Sequence, residues 1–193
     1  MRNLISKVLL SGAGQKVKFI ILSRCTLDIC AVSDHERYDS YVGKFWSEVY
    51  GLKMNCMRKP ILEEASVEVI PGNVVVSDNI TVLDLDLNTC NIGDTQFSAK
   101  FDLRISQDSE LTGLCGYFDI FFDLPESPVM FSTGPQSKPT HWKQTIFYLP
   151  EKMAVKKDQI LNCSITSKRM KTDVRALKVS LSINEKTYRY IVD

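Results

Sequence analysis

The sequence predicts a mainly β domain: about eight or nine short antiparallel strands, with one helical segment near the N-terminus. Three observations carry this. Hydrophobic spacing is helical before Pro60 and alternates with period two after it. Turn-forming residues, among them Pro71-Gly72-Asn73, Asn91-Ile92-Gly93-Asp94, Pro125 and Gly134-Pro135, break the apolar runs into short pieces. The 193 residues, 44% hydrophobic and 24% charged, have the ordinary balance of a chain that folds around a core. Strands this short and this regularly punctuated suggest a barrel or a sandwich.

The elements follow in order. Met1 to Ser23 reads MRNLISKVLLSGAGQKVKFIILS, and Lys7, Lys16 and Lys18 interrupt its apolar stretches, which argues against a cleaved signal peptide. Gly12-Ala13-Gly14 superficially resembles a nucleotide-binding turn, but such a turn must open a helix. Here the apolar stretch Val17 to Leu22 follows at once and reads as a strand, so a hairpin-like turn after Val8-Leu9-Leu10 is the better fit. Ser33-Asp34 is a plausible N-cap with Glu36 in the first turn. Tyr38, Val42, Phe45, Trp46 and Val49 then form a helical stripe that Gly51 would end. With Tyr41 and Tyr50 added, this short stretch is dense in aromatics, which either pack into the domain's own core or are buried against another subunit.

After Pro60 the strands begin. Ser66 to Ile70 alternates; Thr81, Leu83, Leu85 and Leu87 oppose Asp84, Asp86 and Asn88; Phe97 to Ile105 alternates over its whole length. Leu114 to Phe122 is more continuously apolar and reads as a central strand. Val129 to Phe131, Lys143 to Leu149, Ile160 to Thr166, Leu177 to Ile183 and Tyr188 to Val192 complete the series.

Composition excludes several functions. The net charge of +1 lacks the basic excess of a nucleic-acid binder, and no apolar run approaches the roughly 20 residues of a membrane span. The six cysteines have no CxxC pairing and are too sparse for a disulfide scaffold, so they read as free thiols in a reducing compartment and no metal site is expected. The sequons at Asn79 and Asn162 carry little without a secretion signal. A nucleotide-binding domain joined to a second domain usually needs about 300 residues, more than this chain has. Candidate chemistry is thin. His35 lies in a polar helix start, Cys115 in a buried-strand pattern, and no G-x-S-x-G elbow is present. The one unusual cluster is Ser137-Lys138-Pro139-Thr140-His141-Trp142-Lys143-Gln144, which from pattern alone fits a capped strand start with an aromatic plug.

That cluster, continued by Thr145-Ile146-Phe147, closely resembles the threonine-histidine-tryptophan loop of the protein arginine N-methyltransferases. Its flanks agree: Phe131-Ser132-Thr133-Gly134-Pro135-Gln136-Ser137 before it and Gly116-Tyr117-Phe118-Asp119-Ile120 earlier. Phe45-Trp46, Val49-Tyr50-Gly51-Leu52-Lys53-Met54 and Cys56-Met57 resemble that family's dimerisation arm. The whole is most similar to the type I, asymmetrically dimethylating branch, and within it to the zinc-finger-bearing member. The resemblance runs from about Cys25 to Asp193.

The resemblance implies a β-barrel-like substrate domain over residues 25–193, with the arm at about residues 34–62, after a divergent segment of residues 1–24. Tyr38, Phe45, Trp46, Tyr50 and Met54 would then belong to a homodimer interface. It also implies roles for the loop: His141 would orient groups at the mouth of the site, Trp142 would wall the arginine channel, and Thr140 would support both. The family's S-adenosylmethionine site and its hairpin of two glutamates have no counterpart here, and the adjacent Glu63-Glu64 cannot replace the hairpin. The chain is therefore expected to bind no cofactor as it stands, and to be a fragment or truncated isoform inactive alone. Two functions follow: the substrate-binding and dimerisation part of a methyltransferase, or a regulatory module docking on a full-length one. The expected partners are arginine-containing proteins and a second subunit, not nucleic acid or membrane, in the cytoplasm and also the nucleus.

Overall fold

The computed structural model describes residues 22–122, 128–171, 173 and 175–193. The strands and turn expected before Leu22 lie outside the described residues. Ten strands are described, all paired antiparallel, in two sheets. They are β1 (Arg24–Val32), β2 (Ser66–Glu68), β3 (Ile80–Asp86), β4 (Phe97–Arg104), β5 (Ser109–Phe122), β6 (Val129–Ser132), β7 (Gln144–Val155), β8 (Ile160–Arg169), β9 (Leu177–Ile183) and β10 (Lys186–Val192). One sheet runs β2-β7-β5-β1-β3 with β6 added beside β5; the other runs β10-β9-β8-β4.

The two sheets meet at both sides, which makes the architecture barrel-like. On one side Ser106 N–H donates to Val76 C=O (2.9 Å) and Asp78 N–H to Arg104 C=O (3.0 Å). On the other, Ile191 N–H donates to Glu63 C=O (2.7 Å) and Ala65 N–H to Ile191 C=O (2.9 Å). Alternation along each strand sends one set of side chains inward. Leu103, Ile105, Leu111, Leu114, Leu149, Leu161, Leu181 and Ile183 are fully buried between the sheets. Burying each such side chain contributes about 1.5–3 kcal/mol against conformational entropy. Tyr190 joins them, its hydroxyl donating to Tyr148 C=O at 2.9 Å. A second cluster (Cys30, Val32, Tyr38, Val42, Ile70, Cys115, Tyr117, Ile146, Tyr148) fills the space where the helix packs, and a third (Cys25, Leu85, Leu87, Phe118, Ile120) closes the far end.

β1 has no counterpart among the strands expected from the sequence, yet it is a central strand, between β5 and β3. Its residues from Cys25 to Val32 are buried or half-buried on both faces. Two are polar: Thr26 Oγ1 donates to the Asp28 carboxylate at 2.7 Å, and Thr81 Oγ1 to its other oxygen at 2.5 Å. A polar pair satisfied from inside breaks the apolar alternation without exposing the strand.

The helix is shorter than its stripe. α1 spans His35–Tyr41, with Asp34 as N-cap accepting from Arg37 N–H at 3.0 Å. The amides of Val42 and Gly43 both close on Tyr38 C=O, at 2.8 and 2.9 Å. A Cβ at Gly43 would lie 2.7 Å from the Asp39 backbone, so the tight exit needs glycine. A single 3₁₀ turn follows at Phe45–Ser47. Gly51 does not cap a helix. With φ +79° after Tyr50 at +51°, it completes a two-residue turn in which Val49 and Leu52 exchange both backbone hydrogen bonds at 2.9 Å, a type I′ hairpin. The short helix α2 (Arg58–Leu62) returns the chain to the barrel, and Arg58 Nε donates to Val42 C=O at 2.9 Å to fasten the excursion.

Candidate functional site at the end of the barrel

Residues 133–143 link β6 to β7 and carry the threonine-histidine-tryptophan triplet. The loop is clamped at both ends by one side chain. Gln144, 3% exposed, donates through Nε2 to Thr133 C=O and accepts from Ile70 N–H at 2.7 Å. Thr133 is locked in turn, its hydroxyl donating to Phe118 C=O (2.9 Å) and accepting from Phe118 N–H (3.0 Å). Thr140 C=O accepts from Lys143 N–H at 3.2 Å, and Lys143 takes a left-handed backbone with φ +55°. This tight turn puts His141 and Trp142 at the surface.

Trp142 has a built platform. Its indole stacks on Phe131 (ring centroids 5.7 Å, 23° between planes) and meets Phe118 edge-on at 6.0 Å. Some 40% of Trp142 is left exposed, and the exposed imidazole of His141 lies 6.3 Å from it, edge to face. Phe118 and Phe131 enter the sequence reading only as flanks of the triplet motif, and the pairing of β5 with β6, with Ile120 opposite Phe131, brings them to Trp142. An open indole face backed by other rings attracts a flat cation. The Thr140 hydroxyl is buried without a hydrogen-bond partner.

Behind the loop, one oxygen of Asp119 is buried and likewise unpartnered. Desolvation, reinforced by the neighbouring Asp28 charge, raises this carboxyl above its ordinary range despite a hydrogen bond from Ser132.

The five arm residues separate into three environments. Tyr38 is 4% exposed, packs edge-on against Tyr148 at 6.1 Å and donates its hydroxyl to Pro150 C=O at 2.9 Å, so its side chain is covered within the chain. Trp46 is half-buried and donates Nε1–H to Tyr41 C=O at 2.8 Å, and Met54 N–H donates to Trp46 C=O at 3.0 Å. Phe45 and Tyr50 face outward with Leu52; Phe45 is 48% exposed and Tyr50, at the hairpin tip, fully so.

The two described α-helices have seven and five residues, and among the described residues no glycine turn opens either of them. Among these residues no group of three or more His, Cys, Asp or Glu side chains gathers as a metal would require, and no helix is long and apolar enough to cross a membrane.

The fold is that of solved arginine methyltransferase structures. It superposes on a chain of the Trypanosoma brucei PRMT1 enzyme–prozyme heterotetrameric complex with AdoHcy at a TM-score of 0.83, with 19% identity, over 89% of this chain and 56% of that one. For Arabidopsis thaliana protein arginine methyltransferase 10 the TM-score is 0.72, with 16% identity, over 89% and 60%. Residues 23–187 match the family model of the arginine methyltransferase oligomerization subdomain, and the chain belongs to that family. Protein arginine N-methyltransferase 1 of Dictyostelium discoideum is 31% identical over 165 residues, 86% of this chain and 48% of that protein. The Chlamydomonas reinhardtii protein of the same name is 29% identical over 163 residues, 84% and 47%. The chain thus spans about half the length of the curated relatives it matches.

Proposed function

We propose that this chain supplies the substrate-facing wall and the dimerisation surface of a protein arginine N-methyltransferase. The observation that carries the proposal is the Trp142 platform, an indole braced by Phe131 and Phe118 with one side left open beside His141. In this reading Trp142 lines the channel for the substrate guanidinium, His141 orients groups at its mouth, and Thr140 holds the turn. In this reading S-adenosylmethionine supplies the methyl group and is held by a cofactor domain outside the oligomerization subdomain matched over residues 23–187. The chain alone is therefore inactive.

The test is reconstitution. The chain, alone and mixed with a separately expressed cofactor domain of a relative, is assayed with labelled S-adenosylmethionine and an arginine-rich peptide. No transfer by the chain alone is expected. In the mixture, Trp142→Ala should lower methylation at least tenfold while cofactor binding is unchanged. Transfer by the isolated chain, or full activity of the variant, would refute the reading. Placement in the type I branch, next to the zinc-finger-bearing member, draws on the arm and loop residues, and asymmetric dimethylarginine is the expected product. Six cysteines with no disulfide among them support a cytoplasmic setting, with access to the nucleus.

A second reading has its own observation. The outward Phe45, Tyr50 and Leu52 form an apolar arm tip that fits docking on a full-length methyltransferase as a regulatory subunit, an arrangement parallel to the enzyme–prozyme assembly named for the Trypanosoma complex. Co-purification with a full-length relative, with altered activity of that enzyme, supports this reading; homodimers that capture no methyltransferase oppose it.

A further inference from the structure

The outer face of the sheet β10-β9-β8-β4 is a basic plane. Alternation turns Lys100 and Arg104 of β4, Lys168 of β8, Lys178 of β9 and Arg189 of β10 outward, five exposed cations with Asp102 as the one outward carboxylate within these strands. The whole chain carries only +1, so positive charge is concentrated here. Arg104 is paired with Asp158 at 3.7 Å. Lys100, Lys168, Lys178 and Arg189 make no ion pair with any described residue.

Register places these cations in successive rows. Lys168 is directly opposite Lys178; the next row is Ser98, Thr166, Ser180 and Arg189; the next is Lys100, Ser164, Ser182 and Thr187. Like charges directly opposite on adjacent strands destabilise a sheet, and here no acidic residue separates them. Hydroxyls fill the plane between the cations, pre-ordered by pairs such as Ser98 with Thr166 (2.9 Å) and Ser182 with Thr187 (2.8 Å).

We propose that this face docks an extended acidic segment of a partner protein. Rows two residues apart are separated by about 7 Å, which is also the spacing of alternate side chains along an extended peptide. A segment laid along β8 and β9 would place carboxylates over the lysine pair, with Arg189 of β10 and Lys100 of β4 flanking it from opposite sides, and could accept from the hydroxyls between them. A nucleic acid fits less well. The aromatic side chains of this sheet, Phe97, Phe101, Tyr188 and Tyr190, turn inward, which leaves none outside for bases to stack on. The strand face also carries no helix to enter a groove. The inference stands apart from the methylation reading, since it uses no residue of that site.

The test is fluorescence anisotropy of a labelled glutamate-rich dodecapeptide with the whole chain at low salt, beside a labelled RNA oligonucleotide of equal charge. Saturable peptide binding is expected, weakened at least tenfold by K168E/K178E/R189E and by raising salt from 50 to 300 mM, as screening requires. K44E/K53E/K59E, an equal charge change on the arm, should leave it unaltered. Circular dichroism establishes that both variants are folded, as expected for substitutions at exposed positions. Absence of peptide binding, equal loss in both variants, or tighter binding of the RNA than of the peptide would overturn the proposal.

Discussion

Gln144 does at one position what a loop ordinarily needs several contacts to do. Its amide ties the strand-side end of the triplet loop to Thr133 and to the Ile70 backbone. Gln144→Leu keeps the volume but orphans a buried carbonyl and a buried amide, each costing about 1–3 kcal/mol. A loss of about 3 kcal/mol in urea unfolding is expected; a loss under about 1 would mean that other contacts carry the clamp. Asp119 acts in the opposite sense. Its folded carboxyl is raised above the ordinary 3.8, so the folded state binds the proton more tightly than the unfolded one. That contribution is fully present below the unfolded value and is lost as pH rises through the folded one. At neutral pH the ionised group is thus a burden, and Asp119→Asn should raise the melting temperature at pH 7 with little or no gain near pH 3. An equal gain at both pH values would show that charge is not the cause.

At the scale of elements, the hairpin Val49–Leu52 separates fold from association. Tyr50 sits in a left-handed conformation that a bulky residue adopts at a cost of about 1 kcal/mol or more, and its fully exposed ring makes no packing contribution that would offset the strain. Tyr50→Asn creates the Asn-Gly pair that a type I′ turn favours. The variant should hold or raise the melting temperature while weakening self-association in sedimentation velocity. Destabilisation would show that the tyrosine supports the arm internally.

Most other elements were legible in the sequence, because strands half-buried in a barrel must alternate. All nine strands expected after Pro60 are present, although β7 runs on past Leu149 and β5 starts earlier than Leu114. Two elements were not legible. β1 is buried on both faces, and its Thr26–Asp28 pair removes the apolar periodicity by which a strand is recognised. The stripe from Tyr38 to Val49 has helical spacing, but the helix closes where the amides of Val42 and Gly43 both bond Tyr38 C=O, which leaves Phe45 and Trp46 to a separate turn. At the site, the triplet His141-Trp142 was visible as an oddity. Its platform was not, since the sequence does not show that Phe118 and Phe131 both reach Trp142, which the pairing of β5 with β6 brings about.

For the molecule as a whole, burial sorts the thiols. Cys25, Cys30, Cys115 and Cys163 lie inside the sheets, while Cys56 is exposed and Cys90 half-buried. Burial pushes Cys25 up to about 11 and Cys163 up to about 12, while a hydrogen bond with Cys30 and, after it, burial raise Cys115. With Ellman's reagent at pH 8 the folded chain should show at most two fast-reacting thiols, rising to six in guanidinium; four or more fast thiols would mean that the sheets open readily. The placement of β1 also bears on how the protein is made. Cys30 is paired with Cys115, and Arg24 with Phe121, so this strand leaves the ribosome before its principal neighbour has been translated. At about 5–20 residues per second the wait is on the order of ten seconds. During that time a segment destined for burial on both faces has two unpaired edges, which makes it the natural place for a nascent-chain chaperone to hold, and for synthesis to go wrong when none does.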